Sequence, residues 1–128
     1  MKKIIYFWLP PVLWMIFIFF LSSRQRIVVS EEQSINFLVF KTLHLIEYMT
    51  LFVLFFRAYY LQYKSKGFKN AVILATISTL LYAMSDELHQ TFVPTRQGHL
   101  QDVFIDLIGI TIGIMYTKIS FPKLKRFL

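Results

Sequence analysis

IIYFWLPPVLWMIFIFFL, Ile4 to Leu21, carries no charge in 18 residues. As a helix this run is long enough to cross the roughly 30 Å hydrocarbon core of a bilayer. Pro10 and Pro11 interrupt it, and a kink is expected there; prolines are tolerated in membrane helices more readily than in soluble ones. Lys2 and Lys3 precede it, as they would in a signal peptide. The run exceeds the 7–15 apolar residues usual for such peptides, and LSSRQR (Leu21–Arg26) offers no small-x-small cleavage site, so a retained first helix is expected.

Working outward, three more apolar runs follow, and the predicted helices cover about residues 4–22, 39–61, 70–89 and 102–119. The composition agrees: 56% of residues are hydrophobic and 16% charged, against about 25% charged in a soluble domain. The predicted fold is an all-α membrane protein, a four-helix transmembrane bundle forming a single domain over residues 1–128. Cysteine is absent, which excludes a disulfide framework and a thiolate metal site.

A net charge of +7 would suit nucleic acid, but the basic residues lie in the connections between apolar runs, where they encode topology. Lys2 and Lys3 precede the first run, Lys64, Lys66 and Lys69 follow the second, and Lys118, Lys123, Lys125 and Arg126 end the chain. In the first connection Arg24, Arg26 and Lys41 are offset by Glu31 and Glu32, and the third has only Arg96. No nucleic-acid partner is therefore expected. The positive-inside rule puts both termini in the cytoplasm and the first and third connections outside. SRQRIVVSEEQSIN (Ser23–Asn36) is the one long connection, read as a solvated loop or an interfacial turn.

The ionisable residues fall at one end of each predicted helix. His44 and Glu47 open the second helix, Asp86, Glu87 and His89 close the third, and Asp102 and Asp106 open the fourth. His44 and Glu47 are three apart, as are Asp86 and His89, so each pair shares a face. Glu87 points about 100° from Asp86. Asp102, Asp106, Gly109 and Gly113 share a stripe, and the GxxxG spacing allows close helix approach in lipid. A carboxylate facing lipid at mid-helix costs about 2.5–3.5 kcal/mol, so these groups are expected to turn inward and pair. Arg96 is the expected cation for Asp86, Glu87 or Asp102. The result is an outward polar pocket roofed by the loop 91–101.

The motifs HLIEY (His44–Tyr48), DELHQ (Asp86–Gln90), FVPTRQG (Phe92–Gly98) and DVFIDLIG (Asp102–Gly109) together resemble the VanZ-like family of bacterial membrane proteins. The resemblance covers about Leu9 to Met115 and is specific only as a combination. In that family the position of Asp106 is often an asparagine, so this chain places an additional acid there. The family takes its name from a protein conferring low-level resistance to teicoplanin, a lipoglycopeptide antibiotic. The resemblance implies a multi-pass protein of the bacterial cytoplasmic membrane with a role at the cell envelope, and no defined reaction.

Two function classes stay open. In the first, preferred, the pocket of His44, Glu47, Asp86, Glu87, His89, Gln90, Arg96, Asp102 and Asp106 engages a lipid-linked cell-wall precursor or a lipoglycopeptide. Arg96 would then hold an anionic group, because its planar fork suits phosphate or carboxylate. In the second, His44, Glu47, Asp86 and His89 carry out hydrolysis or group transfer on a lipid-linked substrate. Paired acid and histidine residues facing each other in a helix bundle can hold a metal, so a divalent metal belongs to that reading and no cofactor to the first. A proton or ion relay is disfavoured, because the cytoplasmic halves of the helices carry few polar residues. His99 is read as a solvated loop residue.

Overall fold

A computed structural model describes residues 2–24, 32–63, 67–94 and 100–124. Its four helices are α1 (Lys2–Ser22), α2 (Gln33–Gln62), α3 (Gly67–Gln90) and α4 (Leu100–Leu124). Each is long and apolar enough to cross a membrane. The described residues contain no strand.

Three boundaries differ from the sequence expectation. Helix α2 begins at Gln33, not near 39, so the last four residues of the segment read as a connection are helical. The Asn36 side chain donates to the Glu32 carbonyl at 3.3 Å and Thr42 donates to that of Leu38 at 2.8 Å, so local polar groups find partners within this turn. At 30 residues α2 extends about 45 Å and outreaches the roughly 30 Å hydrocarbon core. Helix α3 starts at Gly67, not 70, and α4 runs on through Pro122 to Leu124 instead of ending at 119. Gly67 has φ 78, the left-handed region that glycine enters without a Cβ penalty. Helix α1 also continues through Pro10 and Pro11.

Helix α2 is the hub. It packs against α1, α3 and α4, whereas α1 and α4 do not touch among the described residues. Its buried face carries Tyr48, Leu51, Phe52, Phe55, Phe56 and Ala58. The helices that meet it present small residues. On α3 these are Ala71, Ala75, Thr79 and Ala83, spaced four apart. On α4 they are Gly109 and Gly113. A Cβ added at Gly109 would lie 2.5 Å from the Leu45 carbonyl oxygen, and one at Gly113 would lie 2.8 Å from Phe52 Cδ1. Close backbone approach of this kind is how helices associate in lipid.

Meanwhile the large apolar side chains point outward, among them Leu81, Leu88, Phe104 and Ile119. A soluble bundle has the opposite arrangement, with leucine and isoleucine inside and acids outside. Here acids and small residues share the interior with the large side chains of α2, and the surface is apolar, which is the arrangement a hydrocarbon solvent selects. The chain is a multi-pass membrane protein.

Candidate functional site

The antiparallel path brings the end of α1, the start of α2, the end of α3 and the start of α4 together. Five acids are buried in this part of the bundle: Glu47, Asp86, Glu87, Asp102 and Asp106. The side-chain partners seen for them lie on α2 and α3.

Asp102 pairs with Lys41 of α2. One turn deeper, the Asp106 carboxylate is fully buried, with Oδ1 3.3 Å from His44 Nδ1. The alignment is not that of a hydrogen bond, and neither Asp106 oxygen accepts one. His44 lies nearly parallel to the Tyr48 ring, with centroids 6.3 Å apart and planes 18° apart. The Tyr48 hydroxyl donates to Asp86 Oδ2 at 3.1 Å, and the same oxygen accepts from Gln90 Nε2 at 2.9 Å. Glu87, adjacent to Asp86 on α3, completes a trio with His44 and Asp106. One donor atom from each of these three residues lies within 4.8 Å of the other two.

His89 faces elsewhere. Its Nε2 lies 3.0 Å from Ser23 Oγ, and its ring is 4.7 Å from that of Phe19, so it belongs to the α1–α3 contact. Two further contacts fix α1 at this level. Trp14 Nε1 donates to the Glu47 carbonyl at 3.0 Å, and the Tyr82 hydroxyl donates to the Met15 carbonyl at 2.6 Å.

The sequence-derived site thus divides. His44, Glu87 and Asp106 come together; Asp86 and Gln90 form a hydrogen-bonded unit with Tyr48; His89 turns to α1. Asp86 and His89, expected as a pair opposite His44 and Glu47, make their described contacts with different helices. A three-residue spacing places both on one broad face, but that face spans two neighbouring helices, and each residue meets a different one. Arg96 and His99 lie outside the described residues. Among the described residues, the cation on Asp102 is Lys41. Lys41 and Tyr48 were missed as members of the site. A signal existed: Lys41, His44 and Tyr48 follow one another at three and four residues, and a lysine on the same stripe as a histidine in a membrane span needs a partner.

Comparison with known proteins gives a single answer. No curated protein and no solved structure matches the chain. A family model described as VanZ/LLP1 matches residues 7–121, nearly the whole bundle and every polar residue just described. With four lipid-facing helices and that match, the chain belongs to the VanZ/LLP1 family of membrane proteins.

Proposed function

We propose that the chain acts at the cell envelope by engaging the headgroup of a lipid-linked or lipidated ligand at its polar end, in the outer leaflet. The observation that carries this reading is the gathering of His44, Glu47, Asp86, Glu87, Asp102 and Asp106 at one end of a bundle whose outer surface is apolar. Buried ionisable groups in a membrane helix are expensive and mark functional sites by default. Carboxylates in this density suit the hydroxyl and amine groups of amino sugars and stem peptides, and Arg96 suits a phosphate. Exposed side chains near the same end, Leu88 and Phe104, offer surface to an acyl chain. A lipid-linked wall precursor has all three kinds of group, and a lipoglycopeptide such as teicoplanin has the sugars, the amines and the acyl chain.

The test is drug susceptibility in cells expressing the chain, with folding and expression matched for each variant. Binding predicts that wild type shifts the teicoplanin inhibitory concentration, that Arg96→Ala removes the shift, and that His44→Gln reduces it only in part. A catalytic role as hydrolase or transferase predicts that His44→Gln removes it entirely, because glutamine is neither acid nor base. If wild type changes the response to no envelope-targeting drug, the proposal fails. Orientation is tested separately. Cysteines placed at Gln97 and Ser30 should react with an impermeant thiol reagent in intact cells, and one at Ser65 should not. The reverse pattern would move the site to the cytoplasmic face.

A further inference from the structure

We propose that His44, Glu87 and Asp106 form a binding site for one divalent transition-metal cation of the zinc or manganese class. The three residues come from α2, α3 and α4, and each offers one donor atom within 4.8 Å of the other two. Donors held by one tetrahedral zinc ion lie about 3.3 Å apart, given metal–ligand distances of about 2.0–2.2 Å. Binding an ion therefore asks the donors to draw together by at most about 1.5 Å.

The independent observation is Asp106. It is fully buried, and neither carboxylate oxygen accepts a hydrogen bond. His44 Nδ1 has none either, although it lies 3.3 Å from Asp106 Oδ1. Neighbouring polar groups are committed elsewhere: Lys41 to Asp102, and Tyr48 and Gln90 to Asp86. A cation between His44, Glu87 and Asp106 gives the Asp106 oxygens a close counter-charge, where the structure brings only the His44 ring to 3.3 Å, and so offsets the cost of holding that carboxylate charged away from water.

The donor set selects the ion. Magnesium and calcium take oxygen ligands, whereas one imidazole with two carboxylates suits zinc, manganese and similar ions. Three protein ligands leave a tetrahedral ion one open position, as in sites where the metal meets water or a substrate. Tyr48, lying against His44 and tied through its hydroxyl to Asp86, holds the imidazole plane for this role.

The experiment uses the full chain in lipid nanodiscs, stripped with chelator and titrated with Zn²⁺, Mn²⁺ and Co²⁺. Bound metal is counted by mass spectrometry, and Co²⁺ is followed through its visible absorption. The wild-type chain should bind one ion saturably, with a Co²⁺ band typical of low-coordinate nitrogen and oxygen ligation. Asp106→Asn and Glu87→Gln, which keep shape and remove charge, should each weaken binding by about tenfold to a hundredfold or more. His89→Gln removes a histidine outside the trio and should bind as wild type does. Absence of saturable uptake of all three ions by the wild-type chain overturns the proposal without reference to any variant. So does wild-type affinity in folded Asp106→Asn. Metal uptake with no change in any drug response would overturn the proposed envelope role and leave the metal site standing.

Discussion

The two ends of the bundle are held by different forces, although both are organised by α2. At one end, ions and hydrogen bonds link the helices: Lys41 to Asp102, His44 to Asp106, Tyr48 and Gln90 to Asp86, and Ser23 to His89. At the other, rings predominate, beside two hydrogen bonds between helices: Trp8 Nε1 donates to Gln62 Oε1 at 2.6 Å, and the Tyr59 and Ser78 hydroxyls are 2.8 Å apart. Phe121 meets Phe68 at 4.7 Å and Tyr60 at 5.1 Å edge to face, Phe68 meets Phe56 at 5.2 Å, and Trp8 meets Tyr59 at 5.0 Å. In lipid, burying a ring against other rings gains little transfer free energy, because the tails are as apolar as the protein interior. The aromatic end therefore relies mainly on shape and edge-to-face geometry, which tolerate substitution, with neutral hydrogen bonds and no buried ion pair among the described residues. The polar end relies on complements whose loss leaves a charge buried.

The sharpest way to break this contrast is Lys41→Met. It leaves Asp102 buried without its cation and should destabilise the protein by about 3 kcal/mol, the low end of the range for a broken buried pair. Unfolding by denaturing detergent in mixed micelles measures it. Adding Asp102→Leu should recover most of the loss. A Lys41→Met protein as stable as wild type would show that another cation reaches Asp102.

Next is Gly109→Ala. The added methyl meets the Leu45 backbone at 2.5 Å, and backbone cannot swing aside, so about 2 kcal/mol is expected. Gly113→Ala meets a ring atom of Phe52 first, and about 1 kcal/mol is expected there. The order of the two in the same unfolding assay is the informative result. Phe121→Ala, at the aromatic end, removes edge contacts to Phe56, Tyr60 and Phe68. It should cost about 1–1.5 kcal/mol, less than Lys41→Met although it deletes more atoms. The smallest effect is Ser23→Ala, which loses the contact to His89 and should cost about 0.6 kcal/mol, the average for interhelical hydrogen bonds in a membrane. A cost for Phe121→Ala above that for Lys41→Met would invert the comparison.

The sequence carried the fold because each span announces itself by length and hydropathy, and the polar end because ionisable residues sit at matching ends of three spans. What escaped was azimuth and reach. Asp86 and Glu87 are neighbours in the chain, and both are buried. Which of them meets His44 depends on how far α3 is rotated against α2, and local spacing does not set that. Lys41 reads in sequence as one of several compensated basic residues. Its pairing with Asp102 follows from α4 lying along α2 in register with Gly109 against Leu45. The early start of α2 was hidden because SEEQSIN has the composition of a connection.

The contact between α2 and α4 also sets an order of events during synthesis. His44 enters the membrane with α2, and Asp106 with α4, some 60 residues later in the chain. At elongation rates of about 5–20 residues per second, that interval is about 3–12 s. Until it ends, His44 and Glu47 have no α4 beside them, and the groove along Leu45 and Met49 that Gly109 and Gly113 will occupy is open to lipid or to the insertion machinery. A truncated chain ending after α3 would present this polar face permanently, so membrane quality-control proteases should recognise it, whereas loss of α1 would leave the α2–α4 contact intact.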